Sequence, residues 1–330
     1  MSLRVCLCGT ALLAVQALLP GLLLAADEPD YAKCRDIQYD KERLACFDNV
    51  DRAKLGPRPS YLERQWKLGP GDERISIDDV QSHRPTYVLV GKWTNHANTQ
   101  PSSPAPDHTV PVPIPYNDDE LAFQLSFKSE LVSRHEFGQK FLGLSNLRLW
   151  FAYTQQSYWQ LYTPRLSRPF RETDYEPEVI LTFGTGNAED GWKLINFGAV
   201  HQSNGRALPQ SRSWNRLYAQ GGWEWGRLSV LGRAWWRIPE SEDDNPDIQD
   251  YLGHGDVLLR WGFDNDKSMS LLLRHSFSAG RGFAQLDWTS RKLFGAARIY
   301  VQATSGYGES LIDYNFRQNT IGVGFTYGER

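Results

Sequence analysis

Beyond its first 26 residues the chain has no run that approaches the roughly 18 apolar residues a membrane-spanning helix needs, and the mean hydropathy over 330 residues is −0.51. Cysteine is scarce. Of four, Cys6 and Cys8 fall within those first 26 residues, leaving Cys34 and Cys46. No His lies between or beside this pair, and two thiolates alone do not complete a zinc shell, so a disulfide is expected. Charge of one sign is also lacking: 36 Lys and Arg stand against 39 Asp and Glu, a net of −3 spread along the chain. That balance leaves no basic footprint for nucleic acid.

What is present points to export and then to β-structure. Arg4 followed by the apolar run Val5 to Ala26 reads as a signal peptide over residues 1–26. Residues 27–82 are polar, with charged and Pro-containing stretches and one short helical pattern near Tyr39 to Val50, and are expected to form a small periplasmic extension and linker. From residue 83 to 330 the text alternates. Twelve segments fall near 85–94, 120–132, 144–160, 174–185, 191–203, 213–225, 228–237, 253–263, 268–276, 282–290, 296–304 and 318–327. Val257, Leu259, Trp261 and Phe263 share one face of their segment, and Ile321, Val323, Phe325 and Tyr327 repeat the pattern. Apolar residues facing out and polar residues facing in are the patterning of a transmembrane barrel, and 12 Trp, 15 Tyr and 15 Phe would furnish its two interfacial girdles. The fold expected is all-β: a twelve-stranded antiparallel transmembrane β-barrel.

Connection lengths test this independently, since such barrels alternate long external loops with short periplasmic turns. The gaps 94–119, 161–173, 204–212, 238–252 and 305–317 are mostly long, and 186–190, 226–227, 264–267 and 291–295 are short. The gaps near 277–281 and 133–143 break the rhythm. It places the gap after residue 203 outside the cell.

Parity then singles out three side chains. Ile195, Phe197 and Ala199 continue by twos to His201 and Ser203, and Leu217, Ala219 and Gly221 continue backward to Asn215. A hairpin symmetric about Leu208 sets His201 opposite Asn215. Ser203 as nucleophile on an acyl carbonyl, His201 as base and Asn215 as the group that orients the imidazole would form a triad. Ordinary surface and turn residues are the alternative for a lone Ser or His. Polar groups extending a lipid-facing row are costly in lipid, which favours function. Because neutral Asn stabilises an imidazolium less than a carboxylate would, a cation is expected to assist, and the loop Ser203, Asn204, Gly205, Arg206, Ser211 and Ser213 offers hard oxygen ligands of the kind Ca²⁺ accepts. Asp243, Asp244 and Asp247 read as an acidic external loop, and Glu172, Glu176 and Glu178 as a lumenal network with Arg171.

The stretches HQSNGRALPQSRSWNRLY (201–218), PFRETDYEP (169–177), TQQSYWQL (154–161), DDNPDI (243–248) and SGYGESLIDYNF (305–316) resemble outer membrane phospholipase A over roughly residues 84–327. The resemblance implies a calcium-dependent enzyme, active as a homodimer, that hydrolyses acyl esters of phospholipids at both positions and of lysophospholipids. It implies Ser203, His201 and Asn215 in the roles above, with the oxyanion held by the Gly205 N–H and a Ca²⁺-bound water. It also implies calcium ligands at the Arg206 carbonyl, the Ser211 hydroxyl and the partner subunit's Ser167 carbonyl, Thr173 nearby through water, and Gln155 as a polar dimer contact. The chain departs from the family pattern at Gln202, commonly Asp, at Leu208, where the family has an acidic residue, and in ending GFTYGER, with Phe325 and Tyr327 in place of a terminal aromatic. A transport pore and a catalytically silent barrel scaffold are the rival readings.

Overall fold

The computed structural model describes residues 34, 37–55, 59–68, 80–134, 144, 146–187 and 189–328; the expected signal peptide and much of the extension lie outside these. Two units are distinguished, one up to Arg58 and one from Pro59 onward. In the first, helix α1 (Asp40–Leu55) covers the helical pattern seen in the sequence, and Cys34 and Cys46 are disulfide-bonded as expected.

The second unit is a closed antiparallel barrel. Its strands are β1 (Thr86–Thr94), β2 (Asp119–Arg134), β3 (Asn146–Trp159), β4 (Phe170–Gly184), β5 (Gly191–Ser203), β6 (Ser213–Trp225), β7 (Leu228–Ile238), β8 (Gly255–Gly262), β9 (Ser268–Ser276), β10 (Arg281–Phe294), β11 (Ala297–Tyr307) and β12 (Arg317–Tyr327). Each pairs with its sequence neighbours, and β12 closes on β1 from Thr320 opposite Thr94 to Tyr327 opposite Thr86. Closure removes the unpaired edges that lipid could not satisfy. The alternation sorts as expected: Val257, Trp261, Ile321, Val323, Phe325 and Tyr327 are exposed on the outer wall, while Asp256, Thr320 and Thr326 are buried inside.

The lumen is packed with paired charge. Lys92 and Arg171 both reach Glu120, at 3.1 and 2.9 Å, and Arg171 also reaches Asp313 at 2.6 Å. Arg84 grips Glu176 through two bonds of 2.8 and 2.9 Å, Arg216 approaches the same carboxylate at 3.3 Å, and Tyr218 donates to Glu178 at 2.9 Å. Glu176 and Glu178 are thus networked in the lumen as expected, but Arg171, expected to join them, pairs instead with Glu120 and Asp313. Between β11 and β12 the loop 308–316 folds into the mouth, where Leu311 N–H donates to Asp174 and Ile312 N–H to Glu172. Leu311 and Tyr314 are buried in one apolar cluster with Ile248 and Leu252 of the short helix Ile248–Leu252.

Two features differ from the sequence reading. Residues 59–68, read as linker, belong to the barrel unit, where helix α2 (Tyr61–Trp66) starts at Ser60 through a reciprocal capping box with Glu63. Glu224, near the periplasmic end of β6, accepts from Leu62 N–H at 2.9 Å, and Lys193 on β5 bonds Glu63 at 3.1 Å. Six residues are too short a helix for periodicity to reveal. Second, not all Trp serve the girdles: Trp66, Trp150, Trp214 and Trp235 are buried inside. The buried Lys128 ammonium lies 3.3 Å from the Trp66 ring centroid and 4.7 Å from that of Trp150, and the Arg216 guanidinium lies 3.9 Å from Trp214. Aromatic faces here neighbour interior cations that lipid-facing rings would never meet.

Candidate active site

The site begins with register. On β5 the outer-wall row runs Phe197, Ala199, His201, Ser203, and on β6 it runs Asn215, Leu217, Ala219; His201 pairs with Asn215, and Ser203 with Ser213 on one side and Tyr175 on the other. The hairpin is thus symmetric about residue 208, as the sequence implied. At that pairing the His201 Nδ1 and Asn215 Oδ1 lie 2.8 Å apart. With Nδ1–H donating to the amide oxygen, Nε2 retains its lone pair. A second bond fixes the amide: Asn215 Nδ2 donates to Glu240 Oε1 at 3.0 Å. An amide whose nitrogen is held by a carboxylate must present its oxygen to the imidazole. Glu240 was not singled out from the sequence, because it follows β7, 25 residues beyond Asn215, and no local periodicity connects them.

Ser203 stands two residues beyond His201 on the same face, and its hydroxyl makes no hydrogen bond to a described residue. Nucleophile–base contacts commonly lengthen when no substrate is bound and tighten in the reacting complex. Between them, Gln202 points inward and accepts from Trp214 Nε1 and Arg216, both at 2.9 Å. The residue that departs from the family pattern is thereby absorbed by the lumen.

The loop 204–212 is braced by Asn204, whose amide oxygen accepts from the backbone N–H of Arg206 and Arg212 while its nitrogen donates to Glu172 and the Gln210 carbonyl. Asn204, a cradle candidate in the sequence, is thus a structural brace. Gly205 has φ +62°, and a Cβ there would meet the Tyr175 ring at 3.3 Å, so glycine suits the turn next to Ser203. The Arg206 guanidinium turns back to the Phe170 and Arg171 carbonyls at 2.6 Å each. Arg212 is buried against the Ser211 and His108 carbonyls, and this burial pulls its pKa down.

Ser211 Oγ donates to Asp244 Oδ2 at 2.7 Å, Ser213 Oγ approaches the same oxygen at 3.4 Å, and His108 Nε2 lies 3.0 Å from Oδ1. Asp244, read from the sequence as one of several loop acids, sits at the Ser211 hydroxyl. Thr173 and Ser167 belong to a neighbouring region: Thr173 Oγ1 bonds Ser157 at 3.2 Å on the outer wall, beside Gln155, which bonds Ser157 at 3.3 Å, and Ser167 follows the turn Pro164–Leu166 with φ +59°. Within one chain neither forms a hydrogen bond with Arg206 or Ser211.

A polar dyad on the lipid-facing wall of a twelve-strand barrel narrows the field, and comparison with known proteins decides it. Residues 62–327 match the model of the phospholipase A1 family. The chain belongs to that family. A putative phospholipase A1 of Neisseria meningitidis is 40% identical over 276 residues, 81% of this chain and 70% of its own length. The phospholipase A1 of Escherichia coli is 41% identical over 208 residues, 62% of this chain and 68% of its own length. Among solved structures, outer membrane phospholipase A from Escherichia coli superimposes with a TM-score of 0.66 at 34% identity, covering 77% of this chain and 94% of that one. The Salmonella typhi outer membrane phospholipase, solved as a dimer with bound calcium, gives 0.66 at 32% identity, covering 82% and 98%. Members of the family are ester hydrolases, and the closed barrel with its apolar outer wall is that of an outer-membrane protein.

Proposed function

We propose that the protein is a calcium-dependent outer-membrane phospholipase A, active as a homodimer, that cleaves both acyl esters of phospholipids and those of lysophospholipids with Ser203, His201 and Asn215. The observation that carries the reading is the 2.8 Å His201–Asn215 bond on the outer wall, with Ser203 next on the same row. Ser203 Oγ attacks the ester carbonyl carbon as its proton passes to His201 Nε2. Asn215 Oδ1 holds the Nδ1–H, so the ring keeps one tautomer and one orientation. The carboxylate of Glu240 behind Asn215 restores some of the negative charge that a neutral orienter lacks. Collapse of the tetrahedral intermediate returns the proton from His201 to the leaving alcohol and leaves acyl-Ser203, which water hydrolyses by the same route. The Gly205 N–H, adjacent in the turn, supplies a donor for the oxyanion.

Hard oxygens at the external loop fit calcium: the Ser211 hydroxyl, the Arg206 carbonyl and the Asp244 carboxylate that already engages Ser211. Leu208, exposed on the same loop, adds none. The remaining ligands would come from the partner subunit's Ser167 carbonyl, with Thr173 nearby through water, across a seam that includes Gln155. Calcium bound there supplies positive charge near the developing oxyanion. The Salmonella typhi relative, a calcium-bound dimer, supports this assignment.

The test is fatty-acid release from phospholipid–detergent micelles by the purified protein. Chelation should stop release, added Ca²⁺ should restore it, and Ser203→Ala should be inactive under all conditions. Release that persists in chelator removes the calcium assignment, and an active Ser203→Ala removes the mechanism.

A further inference from the structure

The turn that carries the oxyanion donor lies beyond the sheet. Tyr175 opposite Ser203 and Ser203 opposite Ser213 are the last pairs that β5 makes at this end, so strand register fixes Ser203 but not Gly205. What holds the turn is Asn204, a buried side chain. Its bonds to Arg206, Gln210 and Arg212 close the loop on itself, whereas its 3.0 Å bond to Glu172 Oε1 ties the loop to the barrel wall at β4. A second tie converges on the same place: the Arg206 guanidinium, on the Phe170 and Arg171 carbonyls, lies 3.4 Å from Glu172 Oε2.

Glu172 is itself backed from inside the barrel. It is fully buried, two residues before Asp174 on the lumenal row of β4. The oxygen that accepts from Asn204 also accepts Ile312 N–H at 3.1 Å, and Leu311 N–H donates to Asp174 at 3.0 Å. The loop that supplies these donors is fixed by other contacts. Asp313 accepts from Ser310 at 2.8 Å, Asn98 at 3.0 Å and Arg171 at 2.6 Å, and Leu311 and Tyr314 are packed in the apolar cluster. The chain Ile312, Glu172, Asn204 thus runs from a packed loop to the residue that follows the nucleophile.

We propose that Glu172 is a positioning residue for ester hydrolysis: through Asn204 it holds the turn after Ser203 so that the Gly205 N–H meets the oxyanion, with the loop 308–316 as its backing. The inference rests on the reading of Ser203 as nucleophile. Removing the carboxylate leaves Asn204 Nδ2 and Ile312 N–H each short of an acceptor and frees the turn to shift. A misplacement of about 1 Å in a catalytic constellation costs on the order of 10²-fold in rate.

Fatty-acid release by the full-length protein in phospholipid–detergent micelles at saturating Ca²⁺ tests this, with retained resistance to SDS unfolding verifying that each variant is a folded barrel. Glu172→Ala should lower kcat by about 10- to 100-fold and leave KM and the pH–rate limb that reports His201 unchanged. Two further variants separate reach from charge. Glu172→Asp keeps the charge but falls one methylene short, and should lose activity with Glu172→Ala; Glu172→Gln keeps an acceptor oxygen at the same reach, and should recover most of the loss. Asn204→Ala should resemble Glu172→Ala, and the double variant should lose no more than the worse single, since the two act in one chain. Parental kcat in Glu172→Ala and Glu172→Asp overturns the proposal, as does a Glu172→Gln as impaired as Glu172→Ala, or additive losses in the double variant. A loss that further Ca²⁺ repairs would place the effect on the metal and overturns it as well. An active Ser203→Ala, by contrast, removes the mechanism on which the inference rests.

Discussion

The barrel carries polar groups on both its faces, and the two faces use them differently. Inside, Glu120, Arg171, Lys92 and Asp313 are buried and paired with one another, and each charge is offset by a neighbour. On the outer wall, His201 and Asn215 are joined to each other while the hydroxyl of Ser203 is left uncommitted. Lumenal polarity is the interior of the fold, much of it paired, with the loop 308–316 bonded into one end and α2 into the other. Polarity facing lipid has no such structural use, and the proposed mechanism gives the uncommitted Ser203 hydroxyl its use as nucleophile.

Substitutions on the two faces should therefore fail in different ways. The largest effect belongs to the outer wall: His201→Ala should lower kcat by roughly 10⁴-fold or more with unchanged unfolding, as removal of a base does when it acts as a unit with its nucleophile. In the lumen, Glu120→Ala removes the carboxylate that Lys92 and Arg171 share, leaving them Glu309 and Asp313, and should cost up to about 3 kcal/mol in urea unfolding. The folded fraction of that variant should retain its turnover. Asn215→Ala should reduce kcat by about 10²-fold, the size of one lost orienting bond in a catalytic site. Glu240→Gln preserves shape but replaces the acceptor with an amide, and a fall of about tenfold or less in kcat, with KM unchanged, is expected. The comparison breaks if Glu120→Ala proves as inactive as His201→Ala while fully folded.

The sequence made much of the outer wall legible and less of the interior. Strand limits such as Gly191–Ser203 and Ser213–Trp225 coincide with the alternating segments, and symmetry about residue 208 sets His201 against Asn215. Period-two alternation and a short hairpin are local properties, so they can be read locally. Glu240 and Asp244 could not be read this way, since each reaches the site from the loop after β7 through tertiary contacts. Trp150 and Trp214 were counted among girdle residues because composition records how many aromatics there are and not which face they occupy. Helix α2 was missed for a related reason: its fixing partners, Glu224 and Lys193, lie more than a hundred residues away.

The central claim is that Ser203 alone forms the acyl intermediate, and active-site labelling tests it without depending on substrate choice. The calcium-loaded protein should be treated with a long-chain fluorophosphonate and the adduct mapped by peptide mass spectrometry. A single adduct on Ser203, absent in His201→Ala, is the predicted result. An adduct on another residue, or continued hydrolysis by protein fully labelled elsewhere, would contradict it.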